Sequence, residues 1–260
     1  MIDGIIQGVL ANSLSKVLSA TFAHPYLLGL RIYKPNDEIR IAFSAIIRIC
    51  YQGKYVLVRN LHRPETFCPF GGVFKYYEDA IPFLNSIDFR QHIVDVGKDM
   101  DYDIRGFLPR KNLVKLLDWY NRKIERESYG ECLLRELQEE MIESSCNVVM
   151  PGKIKFRFVR KIIEKPKYLE PINCYQYRIF EVYDIYPIDK HTEKFIKKFY
   201  SLAKTNHNLL VVSSDEIKRG RSIIGAVIGP HSHYLINHRR YRGDDPMFVN
   251  QNGKSSKKLN

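Results

Sequence analysis

The residues predict an α/β (α+β) fold in which a mixed sheet packs against helices. Three observations carry this. Two runs rich in β-branched and aromatic residues, 39–51 and 55–60, meet across the turn signal Gln52-Gly53. Leu133, Leu134, Leu137 and Met141 recur at helical spacing later in the chain. Two further strand-like runs, 154–163 and 173–186, follow that helix and extend the sheet.

The elements follow in order. Residues 5–22 read as a helix with Ile6, Val9, Leu10, Leu14, Val17 and Leu18 on one face, ended by His24-Pro25. Polar residues interrupt it, and a membrane span needs about 20 predominantly apolar residues. Docking on the domain is expected first, pairing with a second copy next, and lying on a membrane last. We divide the chain into an N-terminal helical segment at 1–38, a domain at 39–249 with an insertion at about 75–126, and a disordered basic tail at 250–260. The insertion carries a helical pattern over 112–126, with Leu113, Leu116, Leu117, Tyr120 and Ile124 on one side. Residues 191–204 form another helical stretch and 209–212 a short strand. Ser213-Ser214-Asp215-Glu216 then caps a brief helix.

Composition narrows the function classes. With 45% apolar and 27% charged residues the chain is globular. Five scattered cysteines, Cys50, Cys68, Cys132, Cys146 and Cys174, form no C-x-x-C pair, so reduced thiols and a cytoplasmic location are expected. No secretory leader is visible. A net charge of +12 favours anionic partners. Arg110, Lys111, Lys115, Arg122, Lys123 and Arg126 crowd the insertion, Lys153, Lys155, Arg157, Arg160 and Lys161 follow the later helix, and Arg239, Arg240 and Arg242 lie near the C-terminus. No nucleic-acid-binding signature accompanies them, so nucleic acid is not the expected partner. His231, Ser232, His233 and His238 lack a cysteine pair or a close carboxylate, and zinc is not expected.

The candidate chemistry lies in Arg135-Glu136-Leu137-Gln138-Glu139-Glu140, with Glu127 eight positions before the arginine. On a helix, residues three and four apart are neighbours, so Glu136 faces Glu139 and Glu140 and their charges repel. A hard divalent cation, which takes oxygen ligands, reverses that sign. The competing reading is a solvated acidic helix face. Upstream, Phe67-Cys68-Pro69-Phe70-Gly71-Gly72 follows the strand at 55–60, and paired glycines let a main chain approach a phosphate closely.

Together these segments resemble the Nudix hydrolase family, whose signature joins a glycine, a glutamate and an Arg-Glu-(aliphatic)-x-Glu-Glu run. Glu127 and Arg135 through Glu140 match the second half, and Phe67 to Gly72 the first. The two halves are split by roughly fifty residues. Glu78 also stands six positions after Gly72 but has no Arg-Glu partner, so Glu127 is preferred. Met141-Ile142 stands where the signature has x-Gly, which bears on how the helix ends. The insertion, with Asp103-Ile104-Arg105-Gly106-Phe107-Leu108-Pro109, is similar to the SMODS-associated Nudix branch, associated with bacterial antiphage systems that signal through cyclic oligonucleotides.

The resemblance implies a Nudix-like α/β/α sandwich whose Nudix box is split by a helical insertion. It implies hydrolysis of a nucleoside diphosphate linked to another group, with Mg²⁺ or Mn²⁺ as cofactor. Glu136, Glu139 and Glu140 would be metal ligands, with Glu127 supporting the site or binding metal through water. Arg135 would orient a glutamate, and Glu139 and Glu140 would act in catalysis. The general base is either a box glutamate such as Glu140 or the later Glu216. Gly71, Gly72 and Arg126 would lie against substrate. The expected partner is a nucleotide or nucleotide-derived small molecule, with a homodimer as a further expectation. An alternative is a sensor or effector module that binds a nucleotide signal and hydrolyses little.

Overall fold

The first strand is set by an almost unbroken apolar run, buried on both faces, as expected for the centre of a sheet. The computed structural model describes residues 29, 32–61, 63–92 and 101–237. The expected helix at 5–22, the basic residues Arg239, Arg240 and Arg242, His238, and the tail at 250–260 lie outside the described residues. The elements run β1 (Glu38–Arg48), β2 (Cys50–Tyr51), β3 (Lys54–Asn60), β4 (Arg63–Cys68), β5 (Phe70–Val73), α1 (Ile81–Ser86), β6 (Arg90–Gln91), β7 (Arg105–Pro109), α2 (Leu113–Arg122) and α3 (Tyr129–Glu143). They continue with β8 (Lys155–Leu169), β9 (Cys174–Tyr186), α4 (Lys190–Ala203), β10 (Leu209–Ser213), α5 (Ser214–Arg219) and β11 (Val227–Ile228). The fold is α+β with mixed sheets, as expected. No helix among the described residues is long and apolar enough to cross a membrane.

The residues group into two compact units. The first takes the described residues up to Phe43, then Val73–Ser128 and Ile163–Ile179; the second takes Ser44–Gly72, Tyr129–Ile162 and the described residues from Phe180 on. Three long strands, β1, β8 and β9, therefore contribute residues to both.

In the first unit the strand order is β6-β7-β1-β9-β8. β1 pairs antiparallel with β7, Ile39 opposite Leu108 and Ile41 opposite Gly106. Alternation turns Ile39, Ile41 and Phe43 to one side of β1, where Phe43 and Tyr120 of α2 meet at 4.6 Å between ring centroids. Phe74 joins Tyr120 at 5.8 Å. β8 carries Pro166 and lies at the end of the strand order, where a missing N–H removes no internal ladder bond.

The insertion departs from expectation at its helix. The pattern over 112–126 predicts one continuous helix, but α2 ends at Arg122 because Lys123 turns left-handed at φ 58°. Glu125 is left-handed as well, at φ 59°. Ile124, expected on the buried face, is therefore 52% exposed. The two ends of the insertion are joined by main chain: Tyr77 N–H to Glu125 O at 2.8 Å and Glu127 N–H to Lys75 O at 2.9 Å, with a bridge between Tyr76 and Arg126.

In the second unit β5 pairs with β1, and a separate sheet runs β10-β3-β4-β11, with β2 paired to β3. β4 and β11 are parallel, Phe67 opposite Ile228. The core gathers Ile46, Leu57, Phe67, Ile162, Val182 and Leu210 with residues of α5 and the C-terminal segment. α3 buries Cys132, Leu133, Leu137 and Met141, a four-residue rhythm that leaves the opposite face to the acids.

Candidate functional site

The acidic helix ends without the glycine its pattern lacks. Ser145 takes the left-handed position at φ 55°. Cys146 N–H then donates to Met141 O at 2.8 Å and Ser145 N–H to Ile142 O at 3.0 Å, the paired bonds of a Schellman stop. Met141-Ile142 thus lets α3 run on to Glu143 and leaves Glu136 and Glu140 on successive turns.

Those two carboxylates meet the glycine pair. Gly71 N–H donates to Glu140 Oε2 at 2.9 Å. A Cβ on Gly72 would overlap the Glu136 carboxylate. A Cβ on Gly71, which has φ 127°, would overlap the Ala45 carbonyl and stand 2.9 Å from Ile46 Cα. Both glycines are therefore required by close approach, one to the acids and one to the neighbouring strand. Sequence reasoning placed the glycines near the acids but missed Ala45 and Ile46, whose run of small and apolar residues carries no polar signal.

Arg135 braces the cluster. Its Nη1 lies 2.7 Å from Glu136 Oε1 and 3.6 Å from Glu139 Oε2. Glu139 is about half exposed, with a side-chain exposure of 50%. Burial pushes the Glu140 carboxyl well above its ordinary range; the charge of Glu136 adds to this and the Gly71 N–H opposes it. Burial also pushes the Cys68 thiol up to about 11, with a further contribution from the Glu140 charge. Gly229 N–H bonds Phe67 O at 2.7 Å beside it, so the Ile228-Gly229-Pro230 segment closes over this strand end.

Crowded oxygen donors suit a hard divalent cation, whose charge would favour the ionised carboxylates that burial and mutual repulsion disfavour. The donor set thus fits Mg²⁺ or Mn²⁺ in kind. Among the described residues no three His, Cys, Asp or Glu side chains converge at metal-ligand spacing, so water or substrate oxygens would have to complete any shell.

Three expected site residues sit in structural roles. Glu127, in the first unit, is 7% exposed, and its Oε2 accepts the Lys75 N–H at 2.9 Å. Arg126, expected against substrate, is 4% exposed. It donates to the Tyr120 and Glu127 carbonyls at 3.0 and 2.8 Å and lies over the Tyr120 and Phe74 rings. Glu216, a candidate base, is instead the third residue of a capping box. It accepts from Ser213 N–H and Oγ–H at 2.8 and 2.7 Å and from Ile223 N–H at 2.9 Å. Burial opposes its ionisation, but these donors and the Lys54 charge outweigh that and hold the carboxyl below its ordinary value. Glu78 is exposed and accepts from the Tyr102 hydroxyl at 3.3 Å.

Although the box is split in sequence, its glycines lie against Glu136 and Glu140 in space, as the resemblance to the Nudix signature implies. A family model described as the SMODS-associated NUDIX domain matches residues 38–236. The chain belongs to that family. The match spans the acidic helix, the glycine pair and the whole insertion, so the separation of the box halves lies within the SMODS-associated Nudix domain. No curated protein and no solved structure matches the chain. Within this Nudix domain, Gly71, Gly72, Arg135, Glu136, Glu139 and Glu140 all belong to the second unit, and Arg126 and Glu127 to the first.

Proposed function

We propose that this Nudix domain is a divalent-cation-dependent hydrolase cleaving a nucleoside diphosphate linked to another group, within a bacterial antiphage system that signals through cyclic oligonucleotides. The reading is carried by one observation: the Gly71 amide is bonded to Glu140 while Gly72 packs against Glu136. A pocket meant only for an anion gains nothing from such crowded negative charge, whereas a metal site does.

Glu136, Glu139 and Glu140 would hold Mg²⁺ or Mn²⁺. When bound, the cation would lower the pKa of water and neutralise diphosphate charge. Arg135 keeps Glu136 and Glu139 oriented through charge-assisted contacts. Gly71 and Gly72 let the main chain lie against the carboxylates. Both oxygens of Glu216 are engaged by three donors in and beside its capping box, so a box glutamate is the better base. Arg126 serves the fold, and the phosphate-facing cations come from elsewhere on a chain of net charge +12.

The test is a panel of nucleoside diphosphate derivatives, dinucleoside polyphosphates and cyclic oligonucleotides, incubated with Mg²⁺ and with chelator. Metal-dependent release of a nucleoside monophosphate, abolished by Glu139→Gln and Glu140→Gln, is the expected result. Turnover that persists in chelator would refute the metal role. Phage challenge of cells carrying the chain with its neighbouring genes tests the defence role.

One observation favours a second reading, a nucleotide-signal sensor with little turnover: among the described residues the protein alone does not assemble three converging ligands. Tight, metal-independent binding of a cyclic oligonucleotide without hydrolysis would decide for it.

A further inference from the structure

A pocket of about 640 Å³ opens in the second unit between the ends of β1 and β9 and the first turns of α4. None of Gly71, Gly72, Glu136, Glu139 or Glu140 lines it. Its volume falls within the range of small-molecule sites, about 300–1,000 Å³. Ile49, Ile185 and Ile196 give it an apolar interior, and Tyr51 contributes a ring. A bare phosphate would leave most of that surface uncovered.

The polar part of the lining is positive. Four cationic and two anionic side chains face the pocket. Asp184 is shared by two guanidiniums: Arg48 grips both its oxygens at 2.6 and 2.9 Å, and Arg157 Nη2 reaches it at 3.1 Å. Arg48 is committed further, with Nη1 near the Leu235 carbonyl at 3.3 Å. Arg157 remains 63% exposed, with one nitrogen engaged. Lys194 and Lys197, one turn apart on α4, are exposed and form no ion pair with a described residue. Beyond Asp184, Glu193 is the anion among the described lining residues that offsets them. Three cations with capacity to donate thus rim an apolar cavity, an arrangement that recognises an anionic group carried on an apolar or flat body.

We propose that this pocket is a second, metal-independent binding site for a nucleoside phosphate, with the ring among the isoleucines and the phosphate on Arg157, Lys194 and Lys197. It does not depend on turnover at the acidic helix. Cys50 lines the pocket and is exposed, whereas Cys132, Cys146 and Cys174 are buried and Cys68 is partly so. Its thiol therefore reports occupancy.

The experiment follows maleimide labelling of Cys50 by mass spectrometry on the full chain in chelator. The four common nucleoside 5′-monophosphates, the free nucleosides and inorganic phosphate are titrated separately. At least one monophosphate is expected to slow Cys50 labelling several-fold, with its nucleoside and inorganic phosphate much weaker. In the Lys194→Glu, Lys197→Glu double variant, half-protection should need about 100-fold more nucleotide, roughly tenfold for each charge-assisted bond lost. A Lys194→Gln, Lys197→Gln pair is the milder variant should the reversal unfold, and Glu136→Gln should leave protection intact. The proposal is overturned if no monophosphate protects, if inorganic phosphate protects equally, if the lysine variants keep full protection, or if Glu136→Gln removes it.

Discussion

Two adjacent glycines should separate folding from function. Replacing Gly72 with alanine puts a methyl into the space of the Glu136 carboxylate, whose three atoms are its nearest neighbours. That carboxylate is the end of a flexible side chain, so it can swing away at the cost of its 2.7 Å bond to Arg135. The lost partly exposed ion pair is worth about 0–1 kcal/mol, and the stiffer unfolded chain returns about 0.4–1 kcal/mol, so net stability stays within about 1 kcal/mol of the parent. A displaced ligand, by contrast, should weaken divalent-cation affinity and metal-dependent hydrolysis by at least about 10–100-fold. Gly71→Ala works in the opposite sense. Its φ of 127° and the Ala45 carbonyl leave no place for a methyl, and backbone cannot swing aside. Strain and overpacking each cost about 1–3 kcal/mol, so a loss of roughly 2–6 kcal/mol and a Tm lower by about 4–24 °C are expected. Thermal unfolding by circular dichroism and Mn²⁺ titration by calorimetry read the two quantities. A Gly72→Ala protein with parental cation affinity, or a Gly71→Ala protein with parental Tm, would refute the close-approach argument.

Glu140→Gln should lower metal-dependent hydrolysis by about 10²–10⁴-fold, measured by product release at saturating Mg²⁺, while the fold persists in the far-ultraviolet spectrum. Glu216→Gln removes a capping carboxylate and should cost about 1–2 kcal/mol in urea unfolding with hydrolysis retained per folded molecule. Because the folded carboxyl of Glu216 lies below its ordinary value, its stabilisation is full above the unfolded pKa of about 4.3 and fades as pH falls through the folded value. The gap between parent and Glu216→Gln stability should therefore shrink below about pH 4. Ser145→Gly should raise stability by about 0.5–1 kcal/mol in the same assay, since glycine accepts the left-handed stop of α3 without penalty.

The site was legible where chemistry and periodicity coincided. The α3 pattern gave both a buried stripe and an acidic face, whereas the paired glycines were read as an approach to phosphate and the contact found is to the Glu140 carboxylate. Strands β1, β3, β8 and β9 were legible from their β-branched and aromatic runs. β4 was not, because Pro64 and Glu65 break the apolar pattern and its place is set by pairing with β3. The end of α2 was hidden because Lys123 adopts a left-handed conformation without being glycine. Arg126 read as a free cation because a sequence cannot say that two backbone carbonyls and two rings will enclose it. Glu216 carried two meanings at once, base and cap, and only the partners of its oxygens separate them.

The seam that ties Lys75 and Tyr77 to Glu127 and Glu125 is made of peptide groups, reinforced by the Glu127 carboxylate on the Lys75 N–H. The stretch looped out beyond that seam is therefore pinned at its neck as well as by its own strand β7 and Tyr120. Exposed positions within it, such as Ile124, carry neither task, so substitution there should leave the flanking strand and helix in register.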